Sequence, residues 1–215
     1  MKILSLDPGF YNFGWVLLDT NDPAYPIYCT SASIGTYGTD TKTRIIELTK
    51  LYNELSSLIS HEDVILIESQ FKGHMRNMQI ILLTLFSKYP NLHVIHPIHV
   101  KKFMKYSSKG YRNNKIESVE AARKLAPSAF PNGIGRRIHD MADAYMQAIF
   151  WGCVHGHISN AFVTTNCVNV ETVPTDDHKQ PHCTPPPRDA AAANEPSRPR
   201  KSGWAACAEL SDTAA

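Results

Sequence analysis

The sequence predicts an α/β domain: a mixed five-stranded sheet, with an antiparallel three-strand meander and two parallel strands, and helices on both faces. Three observations carry this expectation. Three strand-like runs follow one another at hairpin distance within the first 34 residues. Two later apolar runs, Val64-Ile65-Leu66-Ile67 and Leu92-His93-Val94-Ile95, each follow a stretch of helical periodicity. A strand, helix, strand, helix, strand order requires crossovers, and crossovers make parallel neighbours.

The first run, Ile3-Leu4-Ser5-Leu6, ends in Asp7 just before the turn signal Pro8-Gly9. Phe13 to Leu18 forms the second strand and Ile27 to Ile34 the third, closed by Gly35 and Gly38. Thr41 or Thr43 can cap a helix to about Ser60, with Ile45, Leu48, Leu51 and Leu55 on one face. The β-branched run 64–67 suits a strand buried on both faces and ends in Glu68. Gly73 to Tyr89 reads as a second amphipathic helix, with Met75, Met78, Ile81, Leu82, Leu85 and Phe86 toward the core. Pro90-Asn91 breaks it, and the fifth strand stops before Pro97. Lys101 to Lys115 reads as a polar connection in which lysines alternate with Phe103, Tyr106 and Tyr111, a mixture that suits phosphates and bases or a plain open loop. Ile116 to Leu125 is helical, Pro127 to Gly135 is a loop leading to Arg136 and Arg137, and the last ordered helix spans about His139 to Trp151. These elements give a folded domain over 1–153. The Pro185-Pro186-Pro187 and Ala190 to Ala193 runs mark 154–215 as a flexible tail. Cys153, His155, His157, Cys167, His178, His182 and Cys183 have spacings that match no closed zinc site.

Bulk properties narrow the function. With 215 residues, 43% hydrophobic, the chain can build one ordinary core. No run is long and apolar enough for a membrane span, and Met1 leads almost directly into the first strand. The expectation is a soluble intracellular protein with no membrane partner. Five cysteines without framework spacing fit reduced thiols. The net charge of +2 hides a segregation: residues 1–70 hold four Lys/Arg and nine Asp/Glu, residues 71–137 thirteen and two, and residues 138–215 five and nine. A basic middle third points to a polyanionic partner, nucleic acid first, with a solvated lysine-rich face as the alternative.

Four acids stand out against this background: Asp7 and Glu68 at strand ends, and Asp140 and Asp143 three apart at a helix start. The pair alone would be explained by the helix dipole. Together the four repel and raise one another's pKa unless divalent cations join them. Oxygen-only ligands suit Mg²⁺ or Mn²⁺, and two such ions about 4 Å apart activate water and stabilise the leaving oxygen of a phosphodiester. The chemistry indicated is that of a nuclease.

The stretches LSLDPGFYNFGW, VILIESQ and HDMADAYMQA resemble the three acidic motifs of the RuvC-type Holliday junction resolvases, in the ribonuclease H-like superfamily. The long helix after IESQ and the overall size make the chain more similar to poxvirus and related large-DNA-virus resolvases than to the bacterial branch. The resemblance covers residues 1–152. It implies a ribonuclease H-like fold and a Mg²⁺-dependent crossover junction endodeoxyribonuclease acting in recombination, repair or viral genome replication. Asp7, Glu68, Asp140 and Asp143 would bind two Mg²⁺, with Mn²⁺ able to substitute, and His139 stands one place before Asp140. HVKKF and the later NNK resemble the family's basic motif, which implies that Lys101 and above all Lys115 contact the scissile phosphate. Branched DNA would lie along Lys72, Arg76, Lys101, Lys102, Lys105, Lys109, Arg112 and Lys115, and symmetric incision implies a two-fold homodimer. Two other readings remain open: a superfamily nuclease acting on flaps or RNA–DNA hybrids, and a nucleic-acid-binding module whose acids are only structural.

Overall fold

A computed structural model describes residues 1–9, 11–36, 38–106, 110–131 and 138–167, with Tyr111 and Arg112 described in backbone only. Strands β1 (Lys2–Pro8), β2 (Asn12–Asp19) and β3 (Tyr28–Ser33) form the meander, and α1 (Thr41–Ser56) crosses to β4 (Val64–Glu68). Helix α2 (Gly73–Leu85) crosses to β5 (Leu92–Ile95), followed by α3 (Pro97–Phe103), α4 (Tyr111–Leu125), α5 (Ile138–Val154) and α6 (Asn160–Cys167). The strand order is β3-β2-β1-β4-β5, antiparallel within the meander and parallel for β1–β4 and β4–β5. The predicted sheet is the one observed.

Strand alternation divides the core into two layers. Leu4, Leu6, Leu17, Ile65 and Ile67 pack with Leu48, Leu51 and Leu55 of α1 and Met78 and Leu82 of α2. Ile3, Val16, Leu18, Val64 and Leu66 pack on the other face against α5 and residues of α3 and α4. Thus β1 turns Ile3, Ser5 and Asp7 toward α5. Asp63 ties the start of β4 to the start of β1: its Oδ1 accepts from the Lys2 backbone N–H at 2.8 Å and its Oδ2 from that of Ser60 at 2.8 Å. Although burial acts to raise the pKa of that carboxyl, these bonds hold it below its ordinary value.

Several elements differ from the sequence expectation. The cap of α1 is Asp40 rather than either threonine, because its Oδ1 accepts from the Thr43 N–H at 2.8 Å while its Oδ2 takes the Thr43 hydroxyl. The helix ends at Ser56, and α2 ends at Leu85 with Phe86 as its C-cap. Pro97 starts a helix instead of merely ending a strand: at N1 it lacks only an N–H that would have been unpaired, and His96 Nδ1 accepts from Ile98 N–H at 3.3 Å. Of the described residues of the basic connection, Lys101 to Phe103 end α3 and Tyr111 to Lys115 begin α4. Beyond the expected boundary at 153, α6 buries Val163 and packs Phe162 and Cys167 onto the α5 layer. The chain divides into two units, Met1–Val173 and Pro174–Ala215. The remainder of the expected tail from 168 onward, with His178, His182 and Cys183, lies outside the described residues. Among the described residues no helix is long and apolar enough to cross a membrane.

Candidate active site

Asp7 and Glu68 are the residues after the registered pair Leu6↔Ile67 on adjacent parallel strands. They leave the sheet side by side, on the same face and about 4.8 Å apart at the backbone. Opposite Asp7 on β2 stands Gly14, and α5 presses onto it. A Cβ at position 14 would lie 2.3 Å from the Asp140 carbonyl oxygen, so only glycine lets the helix start sit here. This close approach delivers Asp140 and Asp143, three residues apart, over the ends of β1 and β4. All four predicted acids line one cleft of about 480 Å³, together with Lys115 and His139.

The cleft holds more negative charge than it neutralises. Burial pushes the Asp7 carboxyl well above its ordinary value, reinforced by the charge of Glu68 and a hydrogen bond to it, then by Asp143 and Asp140. Burial also raises Asp143 to about 6; Glu68 and Asp140 add to the rise, while the hydrogen bond from Ser118 and the charge of Lys115 oppose it. Ser118 Oγ donates to Asp143 Oδ1 at 2.6 Å, and Lys115 Nζ lies 3.5 Å from Asp140 Oδ1 and 4.0 Å from Asp143 Oδ2. His139 Nε2 is 3.3 Å from Asp140 Oδ1, and burial keeps its imidazole below the usual value against the pull of Asp140. Asp140 Oδ2 is buried without a hydrogen-bond partner among the described residues.

In the described conformation no three His, Cys, Asp or Glu side chains stand close enough to ligate one ion, again among the described residues. The donor set nevertheless fits Mg²⁺: it is all oxygen, it includes an orphaned buried carboxylate oxygen, and its mutual repulsion is what a divalent cation would relieve. A pH dependence follows. Protons held by Asp7 and Asp143 compete with cations, so Mn²⁺ affinity should rise with pH through the Asp143 value of about 6. Titration calorimetry with Mn²⁺ on both sides of that value measures it, and a flat profile would contradict the proton competition.

Of the residues expected to meet DNA, Lys72, Lys101 and Lys115 line the cleft, whereas Arg76, Lys102 and Lys105 are exposed outside its wall. Lys109 and the side chain of Arg112 lie outside the described residues. Three contributors were not foreseen. Gln70 Nε2 donates to Glu68 Oε2 at 2.8 Å, and Gln79 Oε1 accepts from the Gln70 N–H at 2.9 Å, so α2 orients the second acid. Ser118 does the same for Asp143 from α4, one turn after Lys115, a spacing that could have signalled it. Phe71 lines the mouth of the cleft, 69% exposed and edge-on to His96 at 4.8 Å; its signal is an aromatic in no apolar period. Met75, expected in the core, also faces the cleft.

No protein-family model and no curated protein matches the chain. Among solved structures, Thermus thermophilus RuvC in complex with Holliday junction substrate superposes with a TM-score of 0.53 at 13% identity, covering 73% of this chain and 97% of that one. The chain has the RuvC fold. A second Thermus thermophilus RuvC structure gives a TM-score of 0.51 over 73% and 98% of the two chains, also at 13% identity. Fowlpox virus resolvase with its substrate Holliday junction DNA gives 0.49 at 16% identity over 70% and 96%. The RuvC fold is the ribonuclease H-like architecture expected from the motifs, and α5 of this chain places its acid pair over the β1 and β4 ends of that sheet.

Proposed function

We propose that the protein is a Mg²⁺-dependent, structure-selective endonuclease that resolves four-way DNA junctions, leaving 5′-phosphate and 3′-hydroxyl ends. The observation that carries this reading is the convergence of Asp7, Glu68, Asp140 and Asp143 with Lys115 in one cleft at the carboxyl ends of β1 and β4. The RuvC fold supports the choice of substrate, since Thermus thermophilus RuvC was solved on a Holliday junction. Two divalent ions held by the four acids would supply the charge that activates water and stabilises the leaving 3′ oxygen. The chain's own groups do the rest. Gln70 and Ser118 fix the orientation of Glu68 and Asp143. Lys115 neutralises negative charge beside the pair on α5 and would do so for the reacting phosphate. Lys72 and Lys101 on the cleft wall meet backbone phosphates, and the exposed ring of Phe71 offers a surface for an unstacked base at the branch point. Incision of two symmetric strands calls for a homodimer.

Parallel digestion of labelled four-way junction, flap, RNA–DNA hybrid and linear duplex, with and without Mg²⁺, tests the reading. Junctions should be cut fastest, by paired symmetric nicks, with binding that weakens steeply as salt rises. Faster cleavage of hybrid or flap would transfer the same chemistry to another substrate. Tight junction binding with no Mg²⁺-dependent cleavage would leave only a binding module.

A further inference from the structure

Below the acids the cleft reaches Gln147 of α5, which follows Asp143 by one turn and Asp140 by two, and so continues the same helix face. Its side chain is 3% exposed, and among the described residues nothing accepts a hydrogen bond from Nε2. The residues around it on α5, Ala144, Met146, Ala148 and Ile149, are buried and apolar. Across the interface Ser5 of β1, two residues before Asp7 and therefore on the same face of the sheet, is fully buried with an equally unpartnered Oγ. Two buried polar groups thus stand unpartnered on the facing elements β1 and α5, where a Met and an Ala would carry no desolvation penalty of an unmet donor.

The placement of this amide accounts for that penalty. Asp143 and Gln147 have the one-turn spacing at which Gln and Asp side chains hydrogen-bond on a helix. The amide lines the same cleft as all four acids, with a donor that is free among the described residues, one helical turn from the Asp143 carboxylate. We propose that Gln147 is a positioning residue of the acidic site, donating its Nε2–H to the inward carboxylate oxygens of Asp7 and Asp143 in the cation-loaded state, with Ser5 supporting it from β1. Gln147 then acts on cation affinity through the acids rather than on DNA. The inference rests on the metal-binding reading of the cleft given above.

The test uses the full chain and Mn²⁺ alone as the probe. Gln147→Met keeps the volume and removes the donor. Mn²⁺ affinity at pH 8, read from the free-ion electron paramagnetic resonance signal, should fall about tenfold, the size of effect that partners of metal ligands have. In EDTA the same variant should melt at or above the wild-type temperature, because an unmet buried donor has been removed. A purely structural Gln147 predicts the opposite pattern, unchanged affinity and a lower melting temperature, and affinity within twofold of wild type overturns the proposal. If the Met variant does not fold, Gln147→Leu serves under the same criteria. A wild-type protein that binds no Mn²⁺ sinks this inference together with the nuclease reading. One that binds Mn²⁺ but cuts no junction sinks only the latter, and a tenfold loss in the variant still supports the role of Gln147.

Discussion

Replacing Asp143 with Asn should abolish the proposed Mg²⁺-dependent cleavage, by about 1,000-fold or more, and at the same time should make the metal-free protein more stable at pH 8. The two effects have one cause. Half-buried beside Glu68 and Asp140, the Asp143 carboxyl is pushed up to about 6, above the ordinary carboxylate value. A raised carboxylate pKa favours the folded state only while the group is protonated. As pH climbs from about 4 through 6 the unfolded chain ionises first and folding stability declines. Above that window the charged group costs roughly 1–3 kcal/mol, and the neutral amide removes this cost while still accepting the Ser118 hydroxyl. Calorimetry in EDTA should therefore show Asp143→Asn melting several degrees above wild type at pH 8, with the gain shrinking toward pH 5 and gone below pH 4. Equal melting temperatures at pH 8 would mean that the acids are not in electrostatic conflict. Retained cleavage would remove Asp143 from the catalytic set.

Gly14→Ala should damage both the fold and the site. The new Cβ would stand 2.3 Å from the Asp140 carbonyl oxygen and 2.5 Å from its carbonyl carbon, both backbone atoms of a helix packed on the sheet. Neither can step aside alone. The start of α5 must lift, which costs on the order of 3 kcal/mol of stability and displaces both acids from the ends of β1 and β4. A comparison variant isolates the effect: Gly152→Ala also meets atoms closely, but they are the Cδ1 and Cγ1 of Ile158, the far end of a side chain that can rotate. Chemical denaturation and junction cleavage should show Gly14→Ala losing both stability and at least about 100-fold in rate, since small misplacements are costly in catalysis. Gly152→Ala should keep its rate. Comparable activity in the two variants would show that the seat of α5 on Gly14 does not govern the site.

What was legible in the sequence was whatever local pattern dictates. Asp7 and Glu68 each terminate an apolar run, an arrangement that packing alone does not explain, and the Asp140 and Asp143 spacing declares a shared helix face. The mixed sheet, a meander plus two parallel strands, followed from the alternation of elements. Helix α3 was hidden because Pro97 after a strand reads as a stop, although proline at N1 starts a helix equally well and a histidine cap is a weak signal. Asp40, Thr41 and Thr43 all carry capping oxygens, and only the backbone decides among them. In α6, Asn160-Ala161-Phe162-Val163-Thr164 is too short and too polar to show a period, and its stability comes from packing on the α5 layer. Gln70 lies two residues after Glu68 and Ser118 one turn after Lys115, but only the fold turns Gln70 back onto its acid and brings Ser118 of α4 against Asp143 of α5.

The pairing of β1 with β4, which β2, β3 and α1 separate in the chain, bears on how the molecule folds as well as on what it does. Asp7 and Glu68 meet only when that parallel pair has zipped, and Asp140 and Asp143 join only when α5, the central layer of the second core, has docked. Such non-local contacts form late along the route to the native state. Repulsion among the acids should therefore act mainly on unfolding. Neutralising the acids should leave the folding rate of the metal-free chain nearly untouched and slow its unfolding, and cations should act as a latch on the finished fold rather than as a guide toward it.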